Sequence, residues 1–383
     1  MSQSIKQKLV ALGADALADL LIEVASDSES AQNKVQRAVS SKTQNVSLFQ
    51  QKLKSIINDN RRFIPWKYSA SFADELRDLL QDIKEGASDP YQGLRLVVEF
   101  FKADEHFLNM VDDSSGHVGD VFRFEALELF AEYAKGIEDR HKLIEIVVEL
   151  IEKDDYGVRD RLIDEAHKFL DKSDLERLFE TVQKKSSGTW QDQRDSWGWK
   201  LPEIARQMGN APLFEELTRK RAGDRINGKL IVDIASVYFE SGDLSKAQAL
   251  IDEISNEDSF AAFDKKELQK KILKASGRTQ ELTSLLIDQF HDHYSKYTLN
   301  ELLEVVGVEE RHKHCLAAIE KIAERTTWNS SDAEFLVYCE AFDETEKHIM
   351  KHQGSLDGFY YSSLLPIAIA MEENNKPLAA SLI

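Results

Sequence analysis

Two histidines near the end of the chain, His348 and His352, stand one helical turn apart in the string His-Ile-Met-Lys-His. Imidazoles at i and i+4 share a helix face, as two ligands of a transition metal would. No glutamate follows His348, so the HExxH pattern of zinc hydrolases is absent. His291, His293, His312 and His314 complete this late cluster, with His314 beside Cys315. The expected state of these rings is solvated or capping, with no metal bound. Cys315 and Cys339 are the two cysteines, too few for a disulfide framework or a cysteine-rich zinc site. They could pair, but two buried thiols in a reducing compartment is the expected state.

Asp112–Asp120 is acidic and punctuated by Gly116 and Gly119, which brings a calcium loop to mind. With Gly116 at position six of an EF-hand frame, position one is Val111 and position twelve is Phe122, so the ligands are missing. A phosphate cradle fails too, because no lysine follows and three aspartates would repel the anion. The stretch is expected to be a capped turn between helices, with Asp120 near a helix N-terminus. No nucleophile elbow, P-loop, dinucleotide fingerprint or Cys/His nucleophile pair occurs, and no two carboxylates stand out as an acid/base pair. The chain is therefore expected not to be an enzyme and to need no cofactor.

Two stretches have the composition of binding surfaces. Trp190, Trp197 and Trp199 sit in a polar segment, as buried packing residues or as aromatic anchors for a partner. Lys52–Tyr68 mixes Lys52, Lys54, Arg61, Arg62 and Lys67 with Phe63, Trp66 and Tyr68. Basic residues interleaved with aromatics suit nucleic acid, although a solvated basic face docked on the acidic remainder accounts for them more simply.

The elements that must carry these groups are helices. Six prolines and seventeen glycines in 383 residues leave few breakers, and no alternating strand pattern of any length appears. Hydrophobic content of 42% with 31% charge is that of a folded globular chain. The net charge of −19 argues against whole-surface binding to nucleic acid or anionic lipid. Residues 1–62 run against that trend, with nine Lys/Arg and six Asp/Glu. The N-terminus lacks the apolar core and cleavage site of a secretory signal, and no window resembles a membrane span. A cytoplasmic location is the simplest expectation.

Three segments follow from the pattern. Residues 1–68 are predicted to be a small basic helical module, with a helix over Val46–Ile57 and an extended linker around Pro65. Residues 69–185 are predicted to be a helical domain. Its signals include Asp89-Pro90 as N-cap and first helical residue and Ser173 with Glu176 as a capping box. Residues 186–383 are predicted to be helix pairs that repeat. The turn Gly242-Asp243 is followed by Leu250 and Ile251 at plus eight and nine, and the same frame starts at Gly209, Gly277 and Asn374. Gaps of 33 and 35 residues separate the first three copies, near the roughly 34-residue period of a helix-turn-helix repeat. The last copy ends on Leu382 and Ile383, which is read as an array cut off within a longer chain.

The segment Ile231–Ile254 resembles a tetratricopeptide repeat, with Ala235, Tyr238, Gly242, Asp243 and Ala247 in the small, aromatic and turn positions. A wider resemblance rests on Val111–Gly116 leading to Gly119-Asp120, on Asp155-Tyr156-Gly157-Val158-Arg159-Asp160, and on the repeats after Leu201. Together they resemble a bacterial helical family of unknown function that is similar to the repeat region of SWIM zinc-finger proteins. That finger needs three cysteines and a histidine at close spacing, whereas Cys315 and Cys339 are 24 residues apart, so no zinc role carries over.

The expected fold is all-α, a right-handed α-solenoid of antiparallel, tetratricopeptide-like helix pairs with a small N-terminal helical module. The expected function is a non-enzymatic scaffold holding a protein or peptide partner on its concave face, with the net negative charge favouring a basic segment. Partner contacts are assigned to Trp190, Trp197, Trp199, Arg61, Arg62 and Trp66. The alternatives are a nucleic-acid-associated factor using the N-terminal module, and an enzyme or metal site assembled from distant helices.

Overall fold

The structure is a computed structural model that describes residues 2–58, 63–186, 197–255, 258–356 and 361–383. Among them every regular element is a helix, and the extended pairing is an isolated bridge between Ile64 and Val111. The chain is all-α and divides into two compact units, Met1–Ile226 and Asn227–Ile383.

The first unit opens with α1 (Ser2–Val10), α2 (Ala14–Ser26), α3 (Glu29–Val39) and α4 (Lys42–Asn58). Next come α5 (Ser69–Gly86), α6 (Pro90–Phe101), α7 (Asp104–Asn109), α8 (His117–Asp120) and α9 (Leu127–Ala134). It closes with α10 (Arg140–Glu152), α11 (Arg161–Asp164), α12 (Lys172–Lys185), α13 (Leu201–Gln207) and α14 (Ala211–Ala222). Helix starts follow the local chemistry. The Asp89 carboxylate accepts from the Gln92 N–H at 2.9 Å and Pro90 takes the first helical position. The cap of α12 is Asp171, which accepts from the Asp174 N–H, and not Ser173 as the capping-box pattern predicts. The Ser173 hydroxyl instead donates to the Asp171 carboxylate.

Phenylalanines fill the core of this unit. Phe100 stacks on Phe122 with ring centroids 4.8 Å apart, and Phe72, Phe101, Phe107 and Phe130 close around them. Phe122 lies in a π-helical turn, Val121–Ala126, between α8 and α9. The basic N-terminal helices are tied to α5 by buried charge. Arg37 pairs with Asp78 at 3.0 Å and with Asp82 at 3.1 Å, while Lys52 reaches Asp82 at 2.8 Å. α4 packs along α5 and buries Val46, Phe49, Leu53 and Ile56. Lys52, one of the basic side chains that the sequence offers for an outside ligand, is thereby committed inside the unit.

The second unit comprises α15 (Gly228–Glu240), α16 (Leu244–Asp252), α17 (Ala262–Ala275), α18 (Thr279–Asp292) and α19 (Lys296–Val306). It continues with α20 (Arg311–Glu324), α21 (Ser330–Tyr338), α22 (Phe342–Lys351), α23 (Tyr361–Glu373) and α24 (Pro377–Leu382). α15 packs on α16, α17 on α18, α19 on α20, α21 on α22 and α23 on α24, and α18 of one pair also packs on α19 of the next. One turn recurs along both units. The residue after the helix end is left-handed, and the next N–H reaches back to a carbonyl five residues earlier. These bonds run from Asn210 to Ala205 at 3.0 Å, Asp243 to Tyr238 at 2.9 Å, Arg278 to Leu273 at 3.0 Å, Ala341 to Leu336 at 2.9 Å and Lys376 to Met371 at 2.8 Å.

The left-handed residues are Gly209, Gly242 and Gly277, then Glu340 and Asn375. The fourth frame starts at Asn375, one residue after the position expected from the sequence. A further copy, at Glu340 with φ 59°, has no turn-forming residue to announce it. A side chain with a Cβ costs roughly 1–2 kcal/mol in that conformation. Glu340→Gly is therefore expected to raise the melting temperature by roughly 2–4 °C, and Gly242→Ala, starting from φ 88°, to lower it by a similar amount. Paired thermal melts check both signs; a Glu340→Gly variant less stable than the parent would mean that the Glu340 side chain contributes contacts worth more than the strain.

Candidate partner-binding cleft

Alternate helices of the second unit face a common cleft. On α15, Lys229, Val232, Asp233 and Ser236 fall at i, i+3, i+4 and i+7, and on α17 Asp264, Glu267, Leu268 and Lys271 repeat that spacing. Residues so spaced share one helix face. The two faces, with Asn227 and Leu230, line a cleft of about 580 Å³. Ile234, Ala235 and Tyr238 of α15 are buried in the core, and Val232, also buried, stands at its boundary with the cleft. A smaller cavity of about 230 Å³ shares Glu267 and Lys271 and continues toward Glu301, Glu304 and Val305 of α19. Leu282 and Leu286 of α18 also line it.

The charges in the cleft alternate. Asp233, Asp264 and Glu267 are interleaved with Lys229 and Lys271. Farther along, Lys270 sits between Glu267 at 2.6 Å and Glu301 at 2.9 Å and joins α17 to α19. Burial opposes the charge on Lys270, but the two carboxylates outweigh it and hold the ammonium above the usual lysine range. The acidic excess of the whole chain is not concentrated here. A partner segment would meet apolar floor at Leu230, Val232 and Leu268 between hydrogen-bonding groups of both signs.

Trp190, Arg61 and Arg62 lie outside the described residues. Trp197 is partly buried with the Lys185 ammonium 5.5 Å from its ring, and Trp199 is half exposed with the Arg221 guanidinium at 4.9 Å. Trp66 is 60% exposed in a short 3₁₀ turn, with exposed Phe63 and Tyr68 on either side in sequence. All of these belong to the first unit, whereas the cleft is built within the second. Nothing marks the cleft residues as unusual in composition. Their signal in the sequence is the i, i+3, i+4, i+7 spacing of polar residues on two helices one repeat apart.

The motif loops of the first unit are structural. The two oxygens of Asp113 accept from the N–H groups of Val118 and Gly119 at 2.9 and 2.8 Å, with Gly116 left-handed, so the acidic stretch is a capped turn. The Asp154 carboxylate accepts from the N–H groups of Val158 and Arg159, and burial raises its pKa. Arg159 then turns inward to a bidentate pair with Asp104 and a 3.0 Å bond to the Leu150 carbonyl. Of the late histidines, His291, His293 and His312 are exposed as expected, whereas His348 and His352 are not. His348 and His352 are 3% and 6% exposed, with ring centroids 4.8 Å apart and Trp328 stacked on His348. Burial, reinforced by His352, takes the His348 pKa down to about 4. Among the described residues no group of three or more His, Cys, Asp or Glu is placed to hold a metal ion.

Fold and cleft define a class: a helical protein of successively packed helix pairs, with a mixed-charge cleft between alternate helices. The chain belongs to a family of unknown function (DUF6880), whose family model matches residues 4–222 and 191–383. No curated protein and no solved structure matches the chain. Among the described residues no helix is long and apolar enough to cross a membrane.

Proposed function

We propose that this protein is a non-enzymatic scaffold that binds an extended protein or peptide segment along α15, α17 and α19. The observation that carries this reading is the cleft itself, lined at equal spacing by the first helices of successive pairs. Helix pairs stacked this way build an α-solenoid, whose concave surface is made by such alternate helices. The tetratricopeptide-like character is supported by burial of Ala235, Tyr238 and Ala247 at the positions where the two helices of that repeat meet. The similarity to the repeat region of SWIM zinc-finger proteins supports the same architecture and brings no zinc. The alternating charges of the cleft favour a segment of mixed charge over a purely basic one.

The test reverses charge where it is exposed and leaves the core alone. Lys229→Glu with Lys271→Glu should weaken partner capture at least tenfold, about 1.4 kcal/mol, with an unchanged melting curve. A partner identified by affinity capture that binds the double variant as well as the parent would place its interface elsewhere.

A second reading rests on exposed Phe63, Trp66 and Tyr68 beside Lys67, a basic aromatic surface suited to single-stranded nucleic acid. Deleting residues 1–68 is a poor test, because it strips Arg37 and Lys52 from the buried Asp82. Trp66→Ala is cleaner. Salt-sensitive binding of an oligonucleotide that falls with Trp66→Ala would favour this reading over the scaffold.

A further inference from the structure

We propose that Cys315 and Cys339 are a thiol pair that closes to a disulfide by exchange with a low-molecular-weight disulfide. The two sulfur atoms lie 3.0 Å apart, and both cysteines are free. Cys315 sits in α20 within the apolar cluster formed by Phe290, Leu299, Leu302 and Phe335. Cys339 caps the end of α21, its N–H bonded to the Phe335 carbonyl at 3.0 Å, and is the more exposed of the two. Both backbones are thus held with the sulfurs 3.0 Å apart, about 1 Å beyond the covalent S–S distance. The guanidinium of Arg311 is fixed beside Cys339 by hydrogen bonds to the Tyr338 hydroxyl at 2.6 Å and carbonyl at 3.3 Å.

The exchange runs in two steps. The Cys339 thiolate attacks one sulfur of the small disulfide, forming a mixed disulfide and releasing one small thiol. The Cys315 thiolate then attacks the Cys339 sulfur, the mixed bond breaks and the second small thiol leaves. Two electrons pass from the protein pair to the small disulfide, and the two thiol protons end on the two released thiols. Burial raises the Cys339 thiol well above its usual range while Arg311 opposes that rise, so the first step is the slow one and accelerates toward alkaline pH. The product ties α20 to the end of α21 and so locks two successive helix pairs together.

The test incubates the full native chain with oxidised glutathione, quenches with acid, alkylates and maps peptides without reduction. The expected result is a single-chain Cys315–Cys339 cross-link, two small thiols released per chain, and reversal by dithiothreitol. The oxidised protein should melt about 5 °C higher than the reduced one, as a closed loop of this size stabilises by constraining the unfolded chain. Cys339→Ser should abolish both the cross-link and the shift, and Cys315→Ser should stop the reaction at a mixed disulfide on Cys339. Two thiols still alkylated in full after prolonged oxidation, a mixed disulfide that persists in the parent protein, or a cross-link between chains would each overturn the proposal.

Discussion

Asp104→Ala is expected to destabilise the first unit by about 3–5 kcal/mol, a large share of the roughly 5–15 kcal/mol of a protein of ordinary stability. Asp104 and Arg159 are almost fully buried. The Arg159 Nε donates to Asp104 Oδ2 at 2.7 Å, a second guanidinium nitrogen donates to the other oxygen, and the third reaches the Leu150 carbonyl. Removing the carboxylate leaves a guanidinium in a low-dielectric site with one carbonyl for company. The cost comes from the stranded charge more than from the lost bond. The double variant Asp104→Leu with Arg159→Met replaces both charges by apolar groups of comparable size and should recover most of the loss. Urea titrations of the three proteins decide the matter: a single variant that loses less than about 1 kcal/mol would show that water reaches the guanidinium.

His348→Leu should carry the second largest effect, and only in acid. Counted from the left-handed residue of each turn, position eight is Leu217 after Gly209, Leu250 after Gly242 and Leu285 after Gly277; after Glu340 it is His348. The ring thus occupies a leucine slot between helices, buried, with neither nitrogen bonded within the protein. Its pKa is about 4 in the folded state against 6.5 for the free side chain. A base with a depressed folded pKa binds its proton more tightly when unfolded. Its contribution is therefore intact above pH 6.5, falls as pH drops from 6.5 to 4, and is flat below that. The loss across this window is on the order of 3 kcal/mol. His352, Lys351 and Arg325 add positive charge nearby, so no neighbour among them rescues the protonated ring. His348→Leu should melt higher than the parent at pH 5, with a smaller difference at pH 7.5. Parallel pH dependences for the two proteins would contradict the assignment of the acid sensitivity to this ring.

Much of the helical plan was legible in the chain because it depends on neighbours in sequence. The turns at Gly209, Gly242 and Gly277 are set by glycine's freedom at positive φ, and Asp89-Pro90 and Asp243 start helices through bonds to amides three residues on. In α15, α16, α18 and α19 the spacing of apolar residues in the sequence picks out the buried face. Lys229, Val232, Asp233 and Ser236 share one side of α15, but the sequence reading did not single them out, because only the matching face of α17 makes that side a cleft.

What depended on the fold was invisible in sequence for a physical reason: it involves residues far apart in the chain, or residues held in states their own chemistry disfavours. Glu340 adopts a left-handed conformation that no local rule assigns to glutamate, because packing of α21 on α22 fixes the turn. Asp82 carries no mark that it will meet Arg37 and Lys52, and Asp104 none that it will meet Arg159 across 55 residues. His348 looks like a solvated or metal-binding residue until the turn register puts it in a leucine slot, with His352 buried beside it. Cys315 and Cys339, 24 residues apart, were two separate thiols on paper. The chain by itself determined that helices form and where the glycine-marked ones turn. Only tertiary packing decided which charges are buried as pairs, which polar rings replace leucines, and which two sulfurs touch.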